Sequence, residues 1–138
     1  MALKGSCSVL LLPLVLLGAW LAIAQPLEQE NDNFLLKHWD DPRSEDMNGT
    51  YCDAMMRRRE LYGQANNTFI HAPVGSINSI CTLGGQPGLP NERHSVAAFD
   101  ITVCAFNSSS RAYDEMRYRR RIVLACMEGL AVGYVRHI

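Results

Sequence analysis

Phe99-Asp100-Ile101-Thr102-Val103-Cys104 is the stretch on which the fold turns. Apolar residues fall on every second position, the period of a strand with one buried face, and the stretch closes on a cysteine. Residues 116–126 and 130–137 are two further strand candidates, separated by Glu128-Gly129, and 107–111 reads as a turn. Upstream the period changes. Phe34-Leu35-Leu36-Lys37-His38-Trp39 reads as a short amphipathic helix stopped ahead of Asp41-Pro42, because the residue before a proline disfavours helical backbone. Thr50 is placed to cap a second helix, 51–61, that buries Cys52, Met55 and Met56 and turns Arg57-Arg58-Arg59 outward. Residues 67–72 have strand character up to Pro73, 76–81 read as a short helix, and 84–92, rich in Gly and Pro, as a loop. Helices first and strands after make an α+β domain with an antiparallel sheet.

Lys4, an apolar run from Val9 to Leu21 and then Ala22-Ile23-Ala24 make the charged start, apolar middle and small-residue exit of a signal peptide. Residues 1–24 are therefore expected to be removed, leaving 25–138 as one secreted, extracellular domain. The apolar run is short for a bilayer core of about 30 Å, and no later stretch is long enough, so no transmembrane segment is expected. Cys7 leaves with the leader. Cys52, Cys81, Cys104 and Cys126 remain, an even number that favours disulfides in an oxidising compartment. No C-x-x-C pair points to zinc, and neither a metal nor a cofactor is expected. Four cysteines allow three pairings, among which spacing does not choose. Asn48, Asn66 and Asn107 head N-x-S/T sequons for glycosylation. With a formal net charge of −1, attraction to polyanions has to come from a local patch.

Six segments together resemble the pancreatic-type (ribonuclease A) family in its angiogenin and leukocyte-ribonuclease-like branch: FLLKH (34–38), YCDAMMRRR (51–59), NTFIH (67–71), SIC (79–81), FDITVC (99–104) and IVLAC (122–126). They run in the family's order over nearly all of 25–138. The resemblance implies a ribonuclease A-like α+β fold, three short helices and a bent antiparallel β-sheet in a kidney shape around an RNA-binding cleft. It also selects Cys52 with Cys104 and Cys81 with Cys126. The branch has a third bridge whose positions fall here on Gly63 and Arg111, neither of them cysteine. Loss of a native bridge costs about 2–5 kcal/mol, so the region between the second helix and the Arg111 turn is expected to be softer.

The resemblance also implies a chemistry. The family cleaves RNA by general acid–base catalysis: one histidine takes the 2′-hydroxyl proton, another protonates the leaving oxygen, and a lysine stabilises charge on phosphorus. The first histidine matches His38, preceded by Lys37 where the family usually has glutamine. The lysine position is Gln64, in GQANNTF (63–69), and an amide donates a hydrogen bond but brings no charge. The second histidine position is Gly133, in CMEGLAVG (126–133), and the acidic residue two places on is Val135. His137 lies four residues beyond Gly133, about 13 Å along an extended strand, too far to substitute unless the strand is bulged or shifted. Asn67 and Thr68, the latter the family's pyrimidine reader, persist as candidate substrate contacts, and both also suit a structural role. A sugar on Asn66 would stand beside the same cleft.

Arg57, Arg58 and Arg59 form one candidate basic patch, similar to the run angiogenin-like proteins use in nuclear targeting and equally readable as a solvated helix face. Arg117, Arg119 and Arg121 alternate along one strand, with Tyr118 and Arg120 between them. They suit a heparin-like glycan, nucleic acid, an acidic membrane surface, or the guarding of a sheet edge. His71 follows the family's strand pattern and is expected to be structural. The leading expectation is a secreted, disulfide-stapled, monomeric family member that keeps His38 as a vestige and lacks efficient RNA cleavage. It would act by binding RNA, a polyanionic glycan or a cell-surface receptor, in reproduction or host defence. A weak pyrimidine-preferring endoribonuclease using His38 with a displaced His137 is one alternative. An antimicrobial or angiogenin-like signalling factor relying on the arginine clusters is the other.

Overall fold

The computed structural model describes residues 26–45 and 48–138; the leader-like segment 1–24 lies outside them. The chain divides into a unit ending at Glu30, whose described residues are helical, and a unit from Asn31 to Ile138. No helix among the described residues is long and apolar enough to cross a membrane.

Helix α1 spans residues 26–38, a start well ahead of the expected Phe34. The polar stretch before Phe34 lacks apolar periodicity, but Glu28, Gln29 and Glu30 are good helix formers, and carboxylates suit the first turns. Phe34 is the buried anchor of its inner face. Helix α2, Tyr51–Arg58, starts as expected: the Thr50 hydroxyl accepts from the Asp53 amide at 3.4 Å, and Cys52, Met55 and Met56 are fully buried. It stops short of Leu61 because Glu60 takes a positive φ of 58° and the Leu61 amide turns back to the Met56 carbonyl at 2.7 Å. Helix α3, Val74–Ser79, begins directly after Pro73, its N-cap, whereas the strand expected to run up to Pro73 already ends at Ile70.

The strands among the described residues number seven and form two antiparallel ladders. β1 (Asn66–Ile70), β4 (Phe99–Asn107) and β5 (Ala112–Arg120) form one, in the order β1-β4-β5. β2 (Gly85–Pro87), β3 (Glu92–Ser95), β6 (Ile122–Met127) and β7 (Leu130–His137) form the other, in the order β2-β3-β6-β7. Two expectations are corrected. The stretch 84–92 is not all loop, since it holds β2 and the start of β3; a side chain at Gly85 would collide with the Ile80 carbonyl, which accounts for a glycine inside a strand. The expected strand 116–126 is two strands in different ladders, broken at Arg121, where the Ser95 hydroxyl accepts from the Ile122 amide at 2.9 Å and carries the chain across.

The side-chain alternation of β1 and β4 fills two cores. Ile70 and Ile101 join Phe34, Ile77, Ile122 and Leu124 on one face, while Phe69 and Cys104 join Tyr51, Met55, Met56 and Tyr113 on the other. Both expected disulfides are formed: Cys52–Cys104 ties α2 to β4, and Cys81–Cys126 ties the turn after α3 to β6. Where relatives would have a third bridge, two tyrosines link the same segments. The Tyr62 hydroxyl donates to the Arg111 carbonyl at 2.7 Å, and the Gly63 amide donates at 2.9 Å to the Tyr113 hydroxyl, which itself donates to the Gln64 carbonyl at 2.7 Å. Tyr62, Phe106 and Tyr113 pack edge to face around them.

Candidate functional site

His38 is the last residue of α1, and the ladder partner of β4, strand β1, fixes its ring. Its Nδ1 lies 2.9 Å from the Thr68 carbonyl oxygen. A carbonyl only accepts, so Nδ1 carries the hydrogen and Nε2 of the neutral ring holds a lone pair. Burial lowers the His38 pKa; the Thr68 hydrogen bond opposes this and the neighbouring Lys37 charge adds to it. The ring is therefore neutral at neutral pH, prepared to accept a proton.

Two aromatic rings flank that imidazole, which is half-buried. Phe34 packs at 5.2 Å and Tyr134 at 5.6 Å between ring centroids. The Tyr134 hydroxyl is buried toward the Thr68 side chain without a hydrogen bond of normal geometry, and burial raises its pKa above the ordinary 10.0. Thr68 itself is only 6% exposed, so the residue matched to pyrimidine reading is covered. Asn67 is equally buried, and its Nδ2 donates at 2.9 Å to the Lys37 carbonyl, satisfying the open end of α1. Tyr134 was not singled out by sequence reasoning; the only cue is a large aromatic directly after Gly133.

The other matched positions carry no titratable group. Gln64 is exposed just ahead of β1. Gly133 sits opposite Ala125 in the β6–β7 pair, where an added Cβ would stand 3.3 Å from the Ala125 methyl. β7 does contain two register shifts, the condition under which His137 could have been displaced. They set His137 opposite Ile122, with its ring on Tyr118 of β5 at 5.0 Å, whereas His38 packs on Tyr134.

His71 lies in a separate buried network. Its Nδ1–H donates to the Asp40 carbonyl at 2.6 Å, and Nε2 accepts from the Thr102 hydroxyl at 2.8 Å, a neutral tautomer. Burial lowers its pKa, with Asp40 opposing and Arg43 and Arg117 reinforcing the shift. Burial works against the Asp40 carboxylate, but the Ser44 hydroxyl at 2.6 Å, the Ser44 amide at 2.8 Å and the Tyr51 hydroxyl at 2.6 Å hold its pKa below the ordinary range. Tyr51 is correspondingly harder to ionise, through burial and then its bond to Asp40.

One arginine of each expected patch turns away from it. Arg57 and Arg58 are exposed, but Arg59 turns inward and donates to the carbonyls of Leu35, Leu36 and Trp39, the last at 2.8 Å. It caps α1, which leaves it unavailable as surface charge. Arg121 lies beyond β5 and its Nε donates to the Ser95 carbonyl at 2.8 Å, so Arg117 and Arg119 alone remain from the expected strand face. Asn48 and Asn66 are exposed, while Asn107 is half-buried, its Oδ1 accepting from the Ser109 amide at 3.0 Å. Among the described residues no group of three or more His, Cys, Asp or Glu side chains is placed to hold a metal ion.

Comparison with known proteins agrees with this architecture. The family model described as pancreatic ribonuclease matches residues 29–134. Angiogenin of Saimiri sciureus is 38% identical over 134 residues, covering 89% of this chain and 90% of that protein. A ribonuclease of Chelonia mydas is 38% identical over 119 residues, 80% of this chain and all of that one. The crystal structure of green turtle egg white ribonuclease superposes with a TM-score of 0.74 at 38% identity, covering 79% of this chain and 98% of its own.

Proposed function

The chain belongs to the pancreatic ribonuclease family, and from that premise we propose that it is a secreted ribonuclease-fold protein that acts by binding and lacks efficient RNA cleavage. The observation that carries this reading is the isolation of His38: a neutral, base-ready imidazole whose ring neighbours are Phe34 and Tyr134. In-line attack by a 2′-hydroxyl needs a base, an acid for the leaving oxygen and a counter-charge for the phosphorane. Gln64 and Gly133 supply neither of the last two. The Tyr134 hydroxyl, pushed up by burial, is a poor donor at neutral pH, and His137 rests on Tyr118. A missing general acid alone removes roughly 10²–10⁴-fold in rate. The covered Thr68 side chain supports the same conclusion. No cofactor enters this reading, and the protein works as a monomer. The test is turnover of pyrimidine-rich RNA by the oxidised, glycan-free protein beside its His38→Ala variant. Equal, background rates are expected; turnover that His38→Ala abolishes would overturn the proposal in favour of a weak endoribonuclease.

A further inference from the structure

Away from His38, a cavity of about 430 Å³ opens between the segment after α1 and β5, lined in part by Asp41, Arg43, Asp100, Arg117, Tyr118 and Arg119. Arg43 comes from a distant part of the chain to join Arg117 and Arg119 of β5, and it was not singled out in the sequence because it lies alone in a polar loop. Arg43 is held by Glu115 at 3.2 Å and lies over the Tyr51 ring at 3.9 Å, which fixes its guanidinium. Arg119 meets Asp100 at 3.1 Å in a pair whose two side chains are 67% and 61% exposed, so water screens it and an incoming anion can exchange with it at little cost. Arg117 has no ion-pair partner among the described residues.

We infer that this cavity binds an anionic sugar of a sulfated glycan chain, with Arg117 and Arg119 taking the sulfate and the Asp41 and Asp100 carboxylates accepting sugar hydroxyls. The inference rests on the binding reading above and names its ligand class. Carboxylates beside arginines suit a ligand that brings hydroxyl donors together with oxyanions on one ring, as a sulfated sugar does. Single-stranded nucleic acid also draws much of its affinity from bases stacked on open aromatic rings. Here Tyr118 is already packed by His137 at 5.0 Å and Arg120 at 5.4 Å, and Tyr51 by Arg43. Arg117 and Arg119 are two residues apart on a strand, about 6.6 Å, a span that one sulfated ring can bridge.

Isothermal titration of the oxidised protein with a heparin-derived tetrasaccharide, its desulfated counterpart and a 2′-O-methyl RNA hexamer tests the site. The Arg117→Ser/Arg119→Ser protein should bind the sulfated tetrasaccharide at least tenfold more weakly, whereas Arg57→Ser/Arg58→Ser, an equal charge loss on α2, should change binding less than twofold. Desulfated sugar and RNA should bind at least tenfold more weakly than the sulfated tetrasaccharide. If the double variant misfolds, Arg117→Ser, which breaks no ion pair, carries the test with a threefold or greater loss. Equal losses from both arginine pairs, equal binding of desulfated sugar, or RNA bound as tightly through the same arginines would each overturn the inference. RNA turnover measured on the same samples separates the two proposals: His38-dependent cleavage overturns the loss of activity without touching this site, and failed glycan binding without cleavage overturns the site alone.

Discussion

At the scale of the residue, two histidines are held neutral by burial, His38 against Thr68 and His71 between Asp40 and Thr102. Each is harder to protonate folded than unfolded, so below the unfolded value of 6.5 the unfolded chain takes up more protons. Stability should therefore rise with pH through the region below 6.5 and level off above it. Urea midpoints measured from pH 5 to pH 8 check this, and a flat or falling profile would contradict neutral buried rings. Asp40 adds a separate loss at lower pH, as its carboxylate, held below the ordinary 3.8, is finally protonated. His38 was legible because it sits in a recognisable helix motif. Tyr134, Arg43 and the inward turn of Arg59 were not, since each depends on contacts with residues far away in sequence.

At the scale of the element, two substitutes for expected features hold the segments around the site. Arg59 closes the end of α1 from α2, and an ion bonded to carbonyls is worth about 1.5–3 kcal/mol. Arg59→Ala should lower stability by about 2 kcal/mol, whereas Arg58→Ala, on the exposed face, should change it by less than about 0.5 kcal/mol. Paired denaturation curves decide this, and equal small effects would return Arg59 to the surface patch. The Tyr62 and Tyr113 hydroxyls stand in for the third bridge, each net hydrogen bond being worth about 1 kcal/mol. The Tyr62→Phe/Tyr113→Phe protein should lose about 2–3 kcal/mol, with amide exchange accelerating first near residues 62–64 and 111–113. Uniform exchange across the chain would show that the tyrosines do not stand in for the bridge. The strands 99–104 and 130–137 were legible from alternation, but β2 and β3 were hidden by Gly and Pro. The β5–β6 break was hidden because Arg119, Arg120 and Arg121 carry no apolar rhythm.

At the scale of the whole molecule, the α+β fold with antiparallel strands and the two disulfides are what family motifs and half-buried strands lead one to expect, whereas the division into two ladders and two cores on either side of β1 and β4 was not read from the sequence. The fold was therefore more legible than the site. A fold is written redundantly in many apolar positions, while the state of a site depends on a few side chains whose neighbours come from other strands. The central proposal for this molecule is a ribonuclease scaffold that persists with an incomplete acid–base apparatus. The most direct measurement is pyrimidine-rich RNA turnover by the native chain beside a Gln64→Lys/Gly133→His variant, made with Ala125→Gly to open the 3.3 Å approach at Gly133. The native chain should stay at the His38→Ala background, and the restored chain should exceed it by about 10²-fold or more. Native turnover that depends on His38 and matches the restored chain would contradict the claim.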